Sequence, residues 1–175
     1  MRGWRRYRGI VGVLAMVVVA ACSNSVGVPA AQDGDIIFQT SQSSQSLAIQ
    51  RATGSKFSHM GIVLLRQGSP WVLEASATVR YTPLGTWIAH GIGHHYELKR
   101  LKKPSALTPA QVAQLRRTAE GFLGKPYDLT FEWSDERMYC SELVYKIYDR
   151  ALGLKIGELQ RVRDSTSRIR RCRRR

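Results

Sequence analysis

The sequence predicts a single α+β domain, and three observations predict it. Short apolar runs broken by turn residues fill the middle of the chain, two of them are spaced as a hairpin, and two longer amphipathic helices follow. The folding segment is expected from Asp33 to Gln160, long enough to bury a real core.

Taken in order, Asp33-Gly34 is a turn signal and Asp35-Ile36-Ile37-Phe38 begins a buried strand. Residues 43–53 follow as a short helix, with a Ser cap and apolar Leu47, Ala48, Ile49 and Ala52. The runs His59 to Leu65 and Trp71 to Ala75 are two strands joined by the five-residue turn Arg66 to Pro70. Val79 to Thr82 and Tyr96 to Leu101 continue as strands, and the stretch GTWIAHGIGHH between them reads as loop or short helix. Thr108-Pro109 opens a helix in which Val112, Leu115, Ala119 and Phe122 recur at helical spacing until Gly124. The last helix starts near Cys140, carries Leu143, Val144, Ile147, Tyr148, Ala151 and Leu152 on one face, and stops at Gly153.

The formal charge is +14, from 27 Lys and Arg against 13 Asp and Glu, a balance that directs attention to polyanions. Its location removes that reading. Residues 1–21 carry +4 and residues 161–175 carry +7, which leaves +3 on the intervening segment. No nucleic-acid-binding motif is present, and nucleic acid is not an expected partner.

The N-terminus reads as an export address. Arg2, Arg5, Arg6 and Arg8 precede the apolar run Ile10 to Ala21, and Val19-Ala20-Ala21-Cys22 closes it. Twelve apolar residues make only ~18 Å of helix, short of the ~30 Å hydrocarbon core. The closing tetrapeptide resembles the lipobox of bacterial lipoproteins. That resemblance implies a signal peptide over 1–21, acylation of Cys22, and a flexible tether over 22–32. Ser23 in place of Asp implies the outer membrane, facing the periplasm. The membrane partner would then be reached through the N-terminal lipid.

Chemistry is expected at Cys140. Helix N-termini favour anions through unpaired N–H groups and the helix dipole, so a thiol there is favoured as the nucleophilic thiolate. A small buried Cys that merely packs is the alternative. His59 opens a strand, and Gly61 two residues later leaves room on the same face for a close approach. Glu74 shares strand parity with Val72 in an otherwise apolar run, and a buried carboxylate there needs a partner. Pairing of the two strands brings the His to the Glu. A Glu on one imidazole nitrogen and a Cys at the other is the arrangement of thiol catalysis.

The stretches DGDIIFQTS, FSHMGIVL, WVLEA, YTPL and GKPYDLTFEWSDERMYCSELVYKIY, in that order over residues 33–160, resemble the YiiX-type permuted papain-like cysteine hydrolases, relatives of the NlpC-type peptidases and of lecithin retinol acyltransferase. The resemblance implies a circularly permuted papain-like (NlpC-like) fold, with an antiparallel sheet packed against a helix that carries the nucleophile at its N-terminus. It implies Cys140 as nucleophile, His59 as general base and acid, and Glu74 as the residue that orients the imidazole. The order His, Glu, Cys along the chain is the permuted order. The backbone N–H of Cys140 is one expected oxyanion donor. Tyr139, Tyr127 and Asp128 are further oxyanion or cleft candidates, Asp128 being equally suited to capping a turn. Tyr139 stands where NlpC-type enzymes usually carry Asp, so that residue's specificity role does not transfer. The Arg-rich run over 161–175 replaces the ordered segment usual in the family, as a truncated or frame-shifted C-terminus would.

No metal or other cofactor is expected: His90, His94 and His95 lie close in sequence with Glu97 as the nearest acid. The resulting expectation is a monomeric, lipid-anchored envelope hydrolase that cleaves a peptide or small amide through a thioester. The same machinery serves esters or acyl transfer on lipid-like substrates. A catalytically silent, basic envelope-binding protein that uses the Arg tail is the rival from another class.

Overall fold

The computed structural model describes residues 31–102 and 107–159. The expected signal peptide over 1–21, the expected tether from Cys22 on except Ala31 and Gln32, and the Arg-rich run over 161–175 with Cys172 lie outside the described residues. Nine elements follow in order: β1 (Ile36–Ser41), α1 (Ser46–Thr53), β2 (His59–Arg66), β3 (Ser69–Ala75), β4 (Val79–Pro83), α2 (Leu84–Ala89), β5 (Gly91–Lys99), α3 (Pro109–Glu120) and α4 (Cys140–Leu152). Among the described residues, no helix is long and apolar enough to cross a membrane.

The five strands form one antiparallel sheet in the order β4, β3, β2, β1, β5. Alternation along each strand divides the core into two clusters. Ile62, Leu64, Leu73 and Ala75 pack with Leu115 and Ala119 of α3 and with Leu143, Val144, Ile147 and Tyr148 of α4. On the opposite face Ile37, Val63 and Val72 pack against Trp87 of α2. His59 and Glu74 share parity with Val63 and Val72, so both belong to the Trp87 face.

Helix ends follow the expected chemistry with two differences. Thr108 caps α3 through a complete capping box with Gln111, and Pro109 occupies the first turn. The helix ends at Glu120 with Gly121 as its cap, before the expected stop at Gly124, and residues 121–124 continue as turns. Gly153 ends α4 at φ 65°, the left-handed cap expected there. In α1 the N-cap is Gln45 without a side-chain cap bond; the Ser46 hydroxyl instead donates to Ser58 Oγ at 2.7 Å.

Two strand boundaries also differ. The β2–β3 turn is two residues long rather than five, because Gln67 (φ 50°) and Gly68 (φ 78°) both adopt the left-handed conformation of a tight hairpin. Arg66 pairs with Ser69 and Leu65 with Pro70, extending the ladder. The stretch read as loop or short helix divides: Leu84–Ala89 is helix α2, and Gly91–His95 joins β5. Gly91 pairs with Ser41, and a Cβ there would lie 2.5 Å from Gln39 Oε1, so the strand approaches β1 only as glycine.

Candidate active site

Strand register brings His59 to Glu74. Gly61 lies directly opposite Glu74, which places His59, two residues earlier on β2, diagonal to it on the same face. A Cβ on Gly61 would sit 2.5 Å from Val72 Cγ1 and 2.6 Å from the Leu73 carbonyl oxygen, so glycine permits this close strand contact. The result is a hydrogen bond of 2.6 Å between His59 Nε2 and Glu74 Oε2.

Glu74 is 2% exposed, and both of its oxygens are engaged. Thr82 Oγ1 donates to Oε1 at 2.6 Å, and Arg80 Nε lies 3.5 Å from the same oxygen. Burial opposes ionisation of this carboxyl, but the hydrogen bond from His59, its charge, Thr82 and Arg80 together hold the pKa below the usual carboxylate range. Trp87, fully buried, stacks on the imidazole with ring centroids 5.8 Å apart. The sequence reading did not single out Thr82, Trp87 or Arg80. Thr82 pairs across from Val72, so strand parity alone places it beside Glu74.

The other side of the ring meets the thiol. Cys140 is the first residue of α4, 7% exposed, and its sulfur is a hydrogen-bond partner of the His59 side chain. With Nε2 committed to Glu74, Nδ1 is the nitrogen left for the sulfur. Burial alone would lower the imidazole pKa, but hydrogen bonds to Cys140 and Glu74, reinforced by their charge, push it up to about 9. The structure therefore brings together all three residues singled out from the sequence.

The segment before α4 is held by two buried carboxylates. Asp128 accepts from Thr130 N at 2.8 Å, Thr130 Oγ1 at 2.7 Å and Glu132 N at 2.6 Å, which is the turn-capping arrangement. These bonds surround Phe131, which adopts φ 57° and sets its ring 5.3 Å from that of Tyr139. Glu142, in the first turn of α4, is 1% exposed and accepts from the backbone N–H groups of Tyr139 and Ser134. Lys146 Nζ lies 2.7 Å from it and also bonds Asp135.

Tyr139 is the N-cap of α4. Tyr127 stands close enough to Cys140 to feel its charge; burial first, then the charges of Cys140 and Asp128, push its phenol well above the ordinary value. It therefore stays protonated at neutral pH and able to donate. Beside the His59–Glu74 pair opens a cleft of about 610 Å³ lined by His59, Glu74 and Tyr127, by amides and hydroxyls of β1 and the loop after it, and by Ile49 of α1. Cys140 borders His59 rather than lining this cleft directly.

An antiparallel sheet packed against a helix that starts at Cys140, with His59 and Glu74 earlier in the chain, is the layout of a permuted papain-like fold. Residues 30–168 match the family described as permuted papain-like amidase enzyme, YaeF/YiiX, C92 family, and the chain belongs to that family. It is 49% identical over 143 residues to the uncharacterized protein YiiX of Escherichia coli strain K12, covering 79% of this chain and 70% of that protein. Among solved structures it resembles metalloprotein YiiX from Escherichia coli O157:H7, with a TM-score of 0.72 and 52% identity over 74% of this chain and 71% of that one. In the present chain no group of three or more His, Cys, Asp or Glu side chains that could hold a metal ion occurs among the described residues.

The coupled pair has a definite pH signature. The His59 pKa is raised from 6.5 to about 9, so its stabilising contribution is complete below about pH 6.5 and is lost as pH rises through about 9. The Glu74 pKa is lowered from 4.5, so its contribution is present above about pH 4.5 and is lost on acidification below that. Unfolding free energy measured in urea is expected to be highest between these limits and to decline toward pH 9, with the decline flattened in Glu74→Gln. An equally steep decline in that variant would contradict the assignment.

Proposed function

We propose that the protein is a cysteine amidase of the cell envelope that works through the triad Cys140, His59 and Glu74. The observation that carries this reading is the imidazole held between Glu74, at 2.6 Å on Nε2, and the sulfur at the start of α4. Cys140 attacks the amide carbonyl carbon as a thiolate while His59 holds the proton as imidazolium. The negative charge that develops on the carbonyl oxygen meets the Cys140 backbone N–H, which has no partner within the helix. Tyr127, protonated and on the cleft wall, is the side-chain donor best suited to join it.

Collapse of the tetrahedral species breaks the C–N bond, and His59 gives its proton to the departing amine. Water then attacks the thioester, His59 takes the proton from that water, and a carboxylic acid leaves as the thiolate is restored. Glu74 keeps Nε2 protonated and Nδ1 turned to the sulfur, while Thr82 fixes the carboxylate itself. Trp87 covers the imidazole and keeps water from the His59–Glu74 bond. The substrates are peptides or small amides, and the enzyme acts as a monomer.

Location follows from the N-terminal sequence. Cleavage after Ala21 and acylation of Cys22 would tether the domain through that lipid and residues 22–32 to the outer membrane on its periplasmic side, as the lipobox-like Val-Ala-Ala-Cys and an apolar run too short to span suggest. Growth with radiolabelled palmitate should label the full chain and not Cys22→Ala; label surviving in that variant would overturn the anchor.

Alkylation tests the triad. Iodoacetamide near neutral pH should modify Cys140 at least roughly tenfold faster in the wild-type chain than in His59→Ala, read by peptide mass spectrometry. Equal, slow modification in both would sink the proposed chemistry.

A further inference from the structure

We infer that the substrate carries a free carboxylate in addition to the scissile amide, and that Arg80 binds it. The inference rests on the amidase reading in one respect: the cleft beside His59 is taken as the place where the substrate lies.

The cleft wall is chemically uneven. Among the described residues, Arg80 is its one Lys or Arg and Glu74 its one Asp or Glu. The remaining polar wall consists of neutral amides and hydroxyls together with His59 and His90. Glu74 cannot answer a cationic ligand, because Oε2 is bonded to His59 and Oε1 to Thr82, each at 2.6 Å. Arg80 is in the opposite condition. Among the described residues its one ion pair is through Nε, 3.5 Å from an oxygen that already accepts a short bond, and its side chain is 49% exposed. Both terminal nitrogens of the guanidinium remain for a ligand, and that fork matches a carboxylate bidentately.

Position supports the same assignment. Arg80 pairs directly with Glu74 across β4 and β3, so its guanidinium lies on the far side of the triad carboxylate from the imidazole. A group bound there belongs to a part of the substrate remote from the bond that breaks. Arg80 also borders a second groove, of about 410 Å³, whose other charged residues are Arg66, Arg116 and Glu120. With Arg116 paired to Asp33 at 2.6 Å and Glu120 on the same wall, Arg66 is the further cation of that groove, and the balance around Arg80 favours an anionic ligand over a cationic one.

The neutral wall supplies the second half of the recognition. Gln39 is 1% exposed, pairs directly with His59 across β1 and β2, and lines the cleft with its Oε1 buried and without a partner among the described residues. Ser76 Oγ, on the same wall, is likewise buried and unpartnered. Buried polar atoms left without partners are destabilising, so a ligand that supplies N–H and C=O groups is favoured there. A peptide-like amide with an acidic side chain or terminus meets both demands. A neutral lipid ester offers Arg80 no anion and Gln39 no N–H, and a polyamine offers no anion and is repelled by Arg80.

The test uses two isosteric probes, N-acetylglutamate α-amide and its neutral counterpart N-acetylglutamine α-amide, titrated calorimetrically into the full chain carrying Cys140→Ser. The acidic probe should bind roughly tenfold more tightly, as expected for a charge-assisted pair, and the preference should shrink as salt is raised. Adding Arg80→Gln should abolish the preference, and Arg80→Lys should restore part of it. Equal binding of the two probes, no binding of either, or a preference that survives Arg80→Gln would overturn the inference. The comparison of probes on the parent chain stands even where an Arg80 variant folds poorly. Because the thiol is absent throughout, failure here is separate from failure of the triad, which alkylation of Cys140 reads on its own.

Discussion

A carboxylate inside a β-sheet is the constraint on which the rest of this structure depends. Glu74 lies 2% exposed among Val72, Leu73 and Ala75, where an unpaired charge would cost several kcal/mol or be neutralised. Its two short bonds, to His59 and Thr82, come from the strands on either side of β3. A slip of β3 by one residue against both neighbours would turn Glu74 toward the α3 and α4 face and separate it from both partners. The sheet register that builds the core is therefore the register that assembles the site, and one polar group specifies both.

The thiol comes from the other layer. Tyr148 and its apolar neighbours seat α4 against β2 and β3, and the start of that helix ends beside His59. Where the helix starts is fixed by two further carboxylates: Asp128 folds the segment before it, and Glu142 binds the Tyr139 N–H at the cap. Lys146 lies 2.7 Å from the buried Glu142 and offsets the burial that pushes this carboxyl's pKa up. Three buried acids thus have three different tasks. One orients the imidazole, one shapes a loop and one closes a helix cap.

Much of this was legible in the sequence because it rests on short-range pattern. Thr108-Pro109 and Gly153 mark helix ends by backbone chemistry, and the parity of Val72 and Glu74 reveals a carboxylate on a core-facing position before any partner is known. The bond to His59 follows once the hairpin is recognised, since it depends only on antiparallel pairing. Less legible were features set by tertiary context. The hairpin turn is two residues rather than five because Gln67, a residue with no strong preference for positive φ, adopts it beside Gly68. Gly91–His95 joins the sheet although its composition suggests a loop, because β1 offers an unpaired edge and Gly91 fits against Gln39. Trp87 over the imidazole and Arg80 beside Glu74 required the sheet order and the packing of α2, which local periodicity does not contain.

The central claim is that His59 forms one titrating unit with Glu74 and Cys140, and the imidazole itself reports it most directly. Nitrogen-15 NMR of the His59 ring should show a midpoint near 9 in the wild-type chain, and the midpoint should fall toward 6.5 in Cys140→Ala. A wild-type midpoint near 6.5, or one unmoved by removal of the thiol, would contradict the account.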